Sequence, residues 1–130
     1  MSRHVKPLTY APKIAGVRDG SIRQTIRPYN EKKPVKVGDT ILFYGWEGVP
    51  YRGKWGWRKE VEVTGVVDVI VMPHGFGVEG GTFYKWSSAW ADLIAALDGI
   101  DPPTGIALGK LFLTGKYKVK PGTKLQIIRW

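Results

Sequence analysis

A chain of 130 residues, 43% of them hydrophobic and 24% charged, has the size and balance of one folded domain spanning 1–130, which excludes disorder as the default. The absence of cysteine removes a disulfide framework, a thiolate nucleophile and any zinc site built on Cys. The formal net charge of +9 is lopsided: residues 1–60 hold 13 Lys or Arg against 5 Asp or Glu, residues 61–130 only 7 against 6. Clustered positive charge of this kind attracts phosphate-bearing partners.

No run of about 18 apolar residues is present, so no transmembrane helix is expected. The N-terminal segment MSRHVKPLTYAPKIAG has no secretory pattern. A soluble, cytoplasmic protein without membrane contact is the expectation.

In chain order, Val5 opens a short extended piece. Tyr10 to Gly16 reads as a short helix, with Pro12 in its first turn and Gly16 at its end. Val17 to Ser21 reads as a turn, and Ile22 to Arg27 alternates apolar and polar side chains as a half-buried strand does. Tyr29 to Lys36 is a charged loop, Val37-Gly-Asp39 a turn, and Thr40 to Tyr44 a strand. Gly45 to Lys59 is too rich in glycine for a helix and too aromatic for a spacer. Glu60 to Met72 is the longest β signal, with Gly65 placed to mark a bulge.

Pro73 to Gly81 reads as loop. Ser87 or Ser88 can cap a helix over Ala89 to Leu97 with Gly99 at its exit, and Trp90, Leu93, Ile94 and Leu97 fall on one face as its expected core stripe. Ile106 to Leu113 fits a second helix or a strand. Lys116 to Gly122 is a basic turn region, and Leu125 to Trp130 closes as a strand. The pattern predicts a mostly β, α+β fold: a small curled sheet or barrel with flanking helices and a basic cleft.

Two segments carry chemistry. In a strand, Gln24 and Ile26 face one side while Arg23, Thr25 and Arg27 face the other. That second face presents two guanidinium forks, which match phosphate, around a hydroxyl. The Gly45–Arg58 segment interleaves Trp46, Tyr51, Trp55 and Trp57 with Arg52, Lys54 and Arg58, and Tyr44 precedes it. Aromatic rings stack on unpaired bases while neighbouring cations neutralise the backbone, so these residues with Gln24 complete the candidate nucleic-acid surface. Lys116, Lys118, Lys120 and Lys124 read as a solvated face able to extend a phosphate-binding surface.

His4 and His74 stand 70 residues apart without a carboxylate at ligand spacing, so no metal is expected. Gly75 to Gly81 lacks the GK[ST] ending of a phosphate loop, and no cofactor is expected.

Pro12-Lys-Ile14, Arg23-Gln-Thr-Ile-Arg-Pro28, Lys36-Val-Gly-Asp-Thr40 and the terminal Ile127-Ile-Arg-Trp130 resemble the ASCH family of the PUA-like superfamily, in order and spacing, over nearly the whole chain. The most specific element is QTIRP followed about ten residues later by VGD. The resemblance implies a small β-barrel with helices around a cleft lined by the segment matching Ile22 to Arg27, and a role in RNA binding or RNA-derived nucleoside chemistry.

Some members resembling this fold are amidohydrolases that deacylate an acetylated cytidine through a lysine, a threonine and a glutamate. Thr25 matches that threonine, whereas Ile22 stands where the lysine should, with Arg23 beside it, and Trp86 stands near the glutamate's place. Arginine stays protonated and does not become the base that a lysine can. Other relatives are ribonucleases, for which Lys13, Lys54 and Glu60 are the participants only if the fold gathers them.

Three functions follow as expectations. The first is an RNA- or nucleotide-binding module that is not an enzyme. The second is a hydrolase of modified nucleosides or RNA, with Thr25 and Lys13 as its catalytic residues. The third is an adaptor that contacts a protein partner through the same cleft.

Overall fold

The computed structural model describes residues 2–8, 11–46, 55–78 and 80–130. The chain runs β1 (Arg3–Pro7), α1 (Ala11–Asp19), β2 (Gln24–Pro28), β3 (Thr40–Trp46), β4 (Trp55–Glu62) and β5 (Gly65–Met72). It continues through β6 (Gly75–Val78), β7 (Phe83–Lys85), α2 (Ala89–Leu97), α3 (Gly105–Leu113) and β8 (Lys124–Arg129). The class is mostly β, α+β, as the sequence predicts. The strands form a three-stranded sheet, β1-β3-β4, and a five-stranded sheet, β2-β8-β5-β6-β7. Among the described residues no ring of strand pairs closes them into a barrel.

β1 pairs parallel with β3, and the other pairs are antiparallel. The long β signal of Glu60–Met72 is two strands, because the chain changes sheets between them. Val63 N–H donates to Asp39 O at 2.8 Å, while Thr64 N–H donates to Arg129 O at 2.9 Å. Two adjacent residues therefore serve different sheets, where the sequence suggested a bulge at Gly65.

β8 lies between β2 and β5 and buries four consecutive residues, Leu125 to Ile128. Side chains alternate across a strand. Leu125 and Ile127 enter an apolar cluster with Phe76, Ile94, Leu108 and Phe112, while Ile128 enters a second with Ile41, Phe43 and Val63. Buried Gln126 clamps the backbone of Val35: its Oε1 accepts from Val35 N–H and its Nε2 donates to Val35 O, both at 3.1 Å.

Three local expectations change. α1 runs through Gly16 to Asp19, because that glycine makes room for a neighbour. A Cβ there would sit 2.3 Å from Ile22 Cδ1. Gly75–Val78, expected as loop, is a strand that pairs with both β5 and β7.

The buried stripe of α2 is Ala91, Ile94 and Ala95, whereas Leu93 is 53% and Leu97 39% exposed. Ser88 Oγ accepts from Ala91 N–H at 3.2 Å and Gly99 takes φ +76°, so the expected ends hold. Ile106–Leu113 resolves as helix, capped by Thr104 Oγ1 accepting from Ala107 N–H at 3.2 Å. No described helix is long and apolar enough to cross a membrane.

Candidate functional site

β1 and β2 are edge strands of different sheets, and Arg27 spans the gap between them. Its Nη2 donates to Pro7 O at 2.8 Å and its Nε to Thr25 Oγ1 at 3.3 Å. Thr25 and Arg27 share a face because they stand two apart on β2.

Behind them opens a cavity of about 310 Å³. Its polar lining at the buried end is Lys13, Thr25 and Asp98, with the half-buried Arg27 beside them. Apolar wall comes from Leu8, Ile26, Ile100, Leu108 and Phe112, and the exposed end is edged by Lys116, Tyr117 and Lys118. An apolar pocket of this volume with a few convergent polar groups is the common form of a small-molecule site.

The polar end is built by three elements. Lys13 comes from α1 and Asp98 caps α2; Nζ and Oδ2 are 2.8 Å apart. From β2, Gln24 Nε2 donates to Ile94 O at 3.0 Å and to Asp98 Oδ1 at 3.4 Å, and Arg129 Nε donates to Gln24 Oε1 at 3.1 Å. Burial pushes the Lys13 ammonium below its ordinary range against the attraction of Asp98. Burial likewise pushes the Asp98 carboxyl up against the attraction of Lys13.

Of the residues singled out in the sequence, Lys13, Thr25 and Arg27 meet in the cavity. Gln24 is buried behind it, where it orients Asp98 instead of meeting a ligand. Arg23 does not join the Thr25 face: the strand begins at Gln24, and Arg23 is exposed just before it and absent from the lining. The basic groups of the described lining are therefore Arg27 with Lys13, Lys116 and Lys118, not two arginines on one strand.

Of the tryptophan-rich segment, the described Trp57 and Arg58 stand outside the described cavity lining. Trp57 is half-buried on β4, packs against the second apolar cluster, and has the Arg18 guanidinium 5.7 Å from its ring centroid. It covers Gly45, where a Cβ would stand 2.2 Å from Trp57 Nε1. It packs outside the described cavity lining, whereas Phe112 and Tyr117 are described rings that edge the cavity.

Tyr44 and Arg58 are cross-strand partners on β3 and β4, outside the cavity lining, although Tyr44 O accepts from Leu8 N–H at 2.9 Å and so holds one wall residue. Trp46 and Trp55 are backbone register partners on β3 and β4. Arg52 and Lys54 lie outside the described residues. Glu60, the carboxylate of the ribonuclease reading, forms an exposed pair with Arg3 at 3.1 Å on the three-stranded sheet and is not among the described residues lining Lys13's cavity. Trp86, near the family glutamate's place, is core: its Nε1 donates to Pro73 O at 3.2 Å.

Asp98 and Tyr117 were missed. Asp98 follows Ala91 by seven and Ile94 by four, so it continues the buried stripe of α2. A stripe drawn through Leu93 and Leu97 hides that. A carboxylate on a buried stripe requires a cation, and Lys13 supplies it.

His4 and Asp39 have a structural use away from the cavity. His4 Nε2 is 2.9 Å from Asp39 Oδ2, and Asp39 also accepts from the N–H groups of Ser2 at 2.9 Å and Lys36 at 3.0 Å. These bonds hold the Asp39 carboxyl down at about 2. The Val37-Gly-Asp39 turn thus ties β1 to the start of β3, with Gly38 at φ +91°. Among the described residues no three His, Asp or Glu side chains gather where one metal ion could be shared. Comparison with family models, curated proteins and solved structures finds no match to this chain.

Proposed function

We propose that the cavity binds a nucleoside unit of RNA, or an RNA-derived nucleotide. The observation that carries this reading is the joining of an apolar, base-sized space to Thr25, Arg27 and the buried Lys13–Asp98 pair at one end. A heterocyclic base offers apolar faces to walls such as Phe112 and Tyr117, and a polar edge to hydroxyl, guanidinium and carboxylate groups. The +8 balance of residues 1–60 supplies attraction for a polyanion. The ASCH and PUA-like resemblance belongs to this reading: the two sheets then correspond to a curled barrel, in a cytoplasmic RNA-binding protein.

Titration of single-stranded RNA and of the four nucleosides tests it. RNA affinity is expected to fall as salt rises, because neutralised phosphates release counterions. A Thr25→Val variant is expected to bind several-fold more weakly, on the order of 1 kcal/mol for a lost hydrogen bond. Absence of binding at low salt by RNA, nucleosides and nucleotides alike would refute the reading.

A second reading, hydrolysis of an acylated nucleoside, is favoured by one observation: Lys13, Thr25 and Asp98 line the same cavity, although the family resemblance puts Ile22 at the lysine position. In that reaction the Thr25 hydroxyl adds to the acyl carbon as Lys13 takes its proton. The C–N bond to the base breaks with that proton passing to the leaving amine, and water then hydrolyses the Thr25 ester to free acid. Incubation with acylated cytidines and chromatography, against a Thr25→Ala control, decides between the two.

A further inference from the structure

A shallower groove adjoins the cavity on the other side of Arg27, and the two share Pro7, Arg27 and Pro28 as a common wall. Val5 and Lys6 of β1 bound it on one side, and Tyr29, Asn30, Glu31 and Lys32 on the other.

Lys6 is the unusual residue here. Its ammonium is depressed first by partial burial, then by the positive charges of Arg27 and Lys33. No carboxylate offsets these effects, and among the described residues the Lys6 ammonium makes no ion pair or hydrogen bond. Lys33 Nζ donates to the Arg3 carbonyl and Arg27 to the Pro7 carbonyl, so both cations are held along the β1 backbone. Like charges brought together in this way oppose one another until an anion sits among them. Glu31, exposed, is the carboxylate on the groove's described lining.

We propose that this groove is a phosphate subsite in which Lys6 and Arg27 hold the phosphate of the molecule whose nucleoside occupies the cavity. The proposal rests on the nucleoside reading of the cavity and adds that the preferred ligand is phosphorylated. Arg27 is the hinge of the arrangement: it lines both spaces, and its bonds to Pro7 and Thr25 fix its plane between them. The shared chemistry is a nucleoside phosphate, supplied either by a free mononucleotide or by a phosphodiester within single-stranded RNA.

Calorimetric titration of the full chain with a nucleoside, its 5′- and 3′-monophosphates and a short oligoribonucleotide tests this. One monophosphate is expected to bind about tenfold more tightly than the nucleoside, as a charge-assisted contact provides. That advantage should vanish in Lys6→Gln, shrink with salt, and grow in Glu31→Gln. Tighter binding of the oligoribonucleotide than of either monophosphate identifies RNA as the source; the reverse identifies a free nucleotide. Equal affinity for nucleoside and monophosphates, or a phosphate advantage that survives in Lys6→Gln, overturns the subsite and leaves the cavity reading standing. Binding of none of the four compounds overturns the cavity reading, and the subsite with it.

Discussion

Lys13 on α1 and Asp98 at the C-terminal cap of α2 meet at 2.8 Å across 85 residues of sequence, and both are buried. Removing one partner strands the other's charge out of water, which costs about 3–5 kcal/mol, whereas replacing both with apolar groups costs far less. Lys13→Met and Asp98→Asn are each expected to lose stability in that range by chemical denaturation. Lys13→Met/Asp98→Leu should lose much less than the two single effects combined. Single losses under about 1 kcal/mol would mean that the pair behaves as an exposed one.

Asp39 makes stability depend on acid. Its folded carboxyl lies near 2, below its ordinary 3.8, first because the Ser2 N–H bonds it and then because His4 does. A group depressed on folding contributes stability that is present above its unfolded value and is lost as pH falls through the folded one. The advantage of the parent over Asp39→Asn should therefore be constant above about pH 5 and narrow between about pH 4 and about pH 2. Urea denaturation at a series of pH values measures it, and a gap that stays constant across that window contradicts the assignment.

Helix α3 contains two glycines whose replacement by alanine would ordinarily gain up to about 1 kcal/mol of helix propensity. Packing reverses the sign. A Cβ on Gly105 would stand 2.0 Å from the Trp86 carbonyl oxygen, and one on Gly109 would stand 2.7 Å from the Trp86 ring. Gly105 N–H also donates to Asp92 Oδ1 at 2.7 Å, so the helix start cannot move without breaking its tie to α2. Gly105→Ala should lose about 1–3 kcal/mol, as overpacking does. Gly109→Ala should lose less, because it meets a side chain rather than backbone. Thermal melts would check the order.

Alternation and capping made much of the fold legible. β3, β8 and the ends of α2 follow from Thr40–Tyr44, Leu125–Trp130, Ser88 and Gly99. What local pattern could not show is what tertiary contacts decide. Gly16 reads as a stop until Ile22 is seen to need its space, and Glu60–Met72 reads as one strand until Val63 and Thr64 bond different sheets. The site was half legible for the same reason. Thr25 and Arg27 share a strand face, whereas the meeting of Lys13, Asp98 and Tyr117 depends on three separate segments. Trp57 is ambiguous in the sequence because an aromatic residue beside cations suits a core edge, as with Arg18, as well as a stacking surface.

That difference between core and ligand surface can be tested by dividing the labour of binding among Tyr117, Lys118 and Trp57. Tyr117 edges the cavity, 36% exposed, with its ring centroid 6.0 Å from that of Phe112, so one face of the cavity mouth is aromatic. Stacking one base on a ring is worth about 1–3 kcal/mol and involves no counterion. Tyr117→Leu should therefore weaken single-stranded RNA binding at every salt concentration while leaving the salt slope unchanged. Lys118 stands at the same edge, and if RNA binds there as proposed, Lys118→Gln should lower the slope by about one. Trp57→Phe should change neither quantity in the folded protein. It should instead lower the midpoint of thermal unfolding, because the indole covers Gly45 and packs against the second apolar cluster. Circular dichroism on each variant separates lost binding from lost folding. A folded Trp57→Phe with markedly weaker RNA binding, beside a Tyr117→Leu that binds like the parent, would move the stacking surface back to the tryptophan-rich strand.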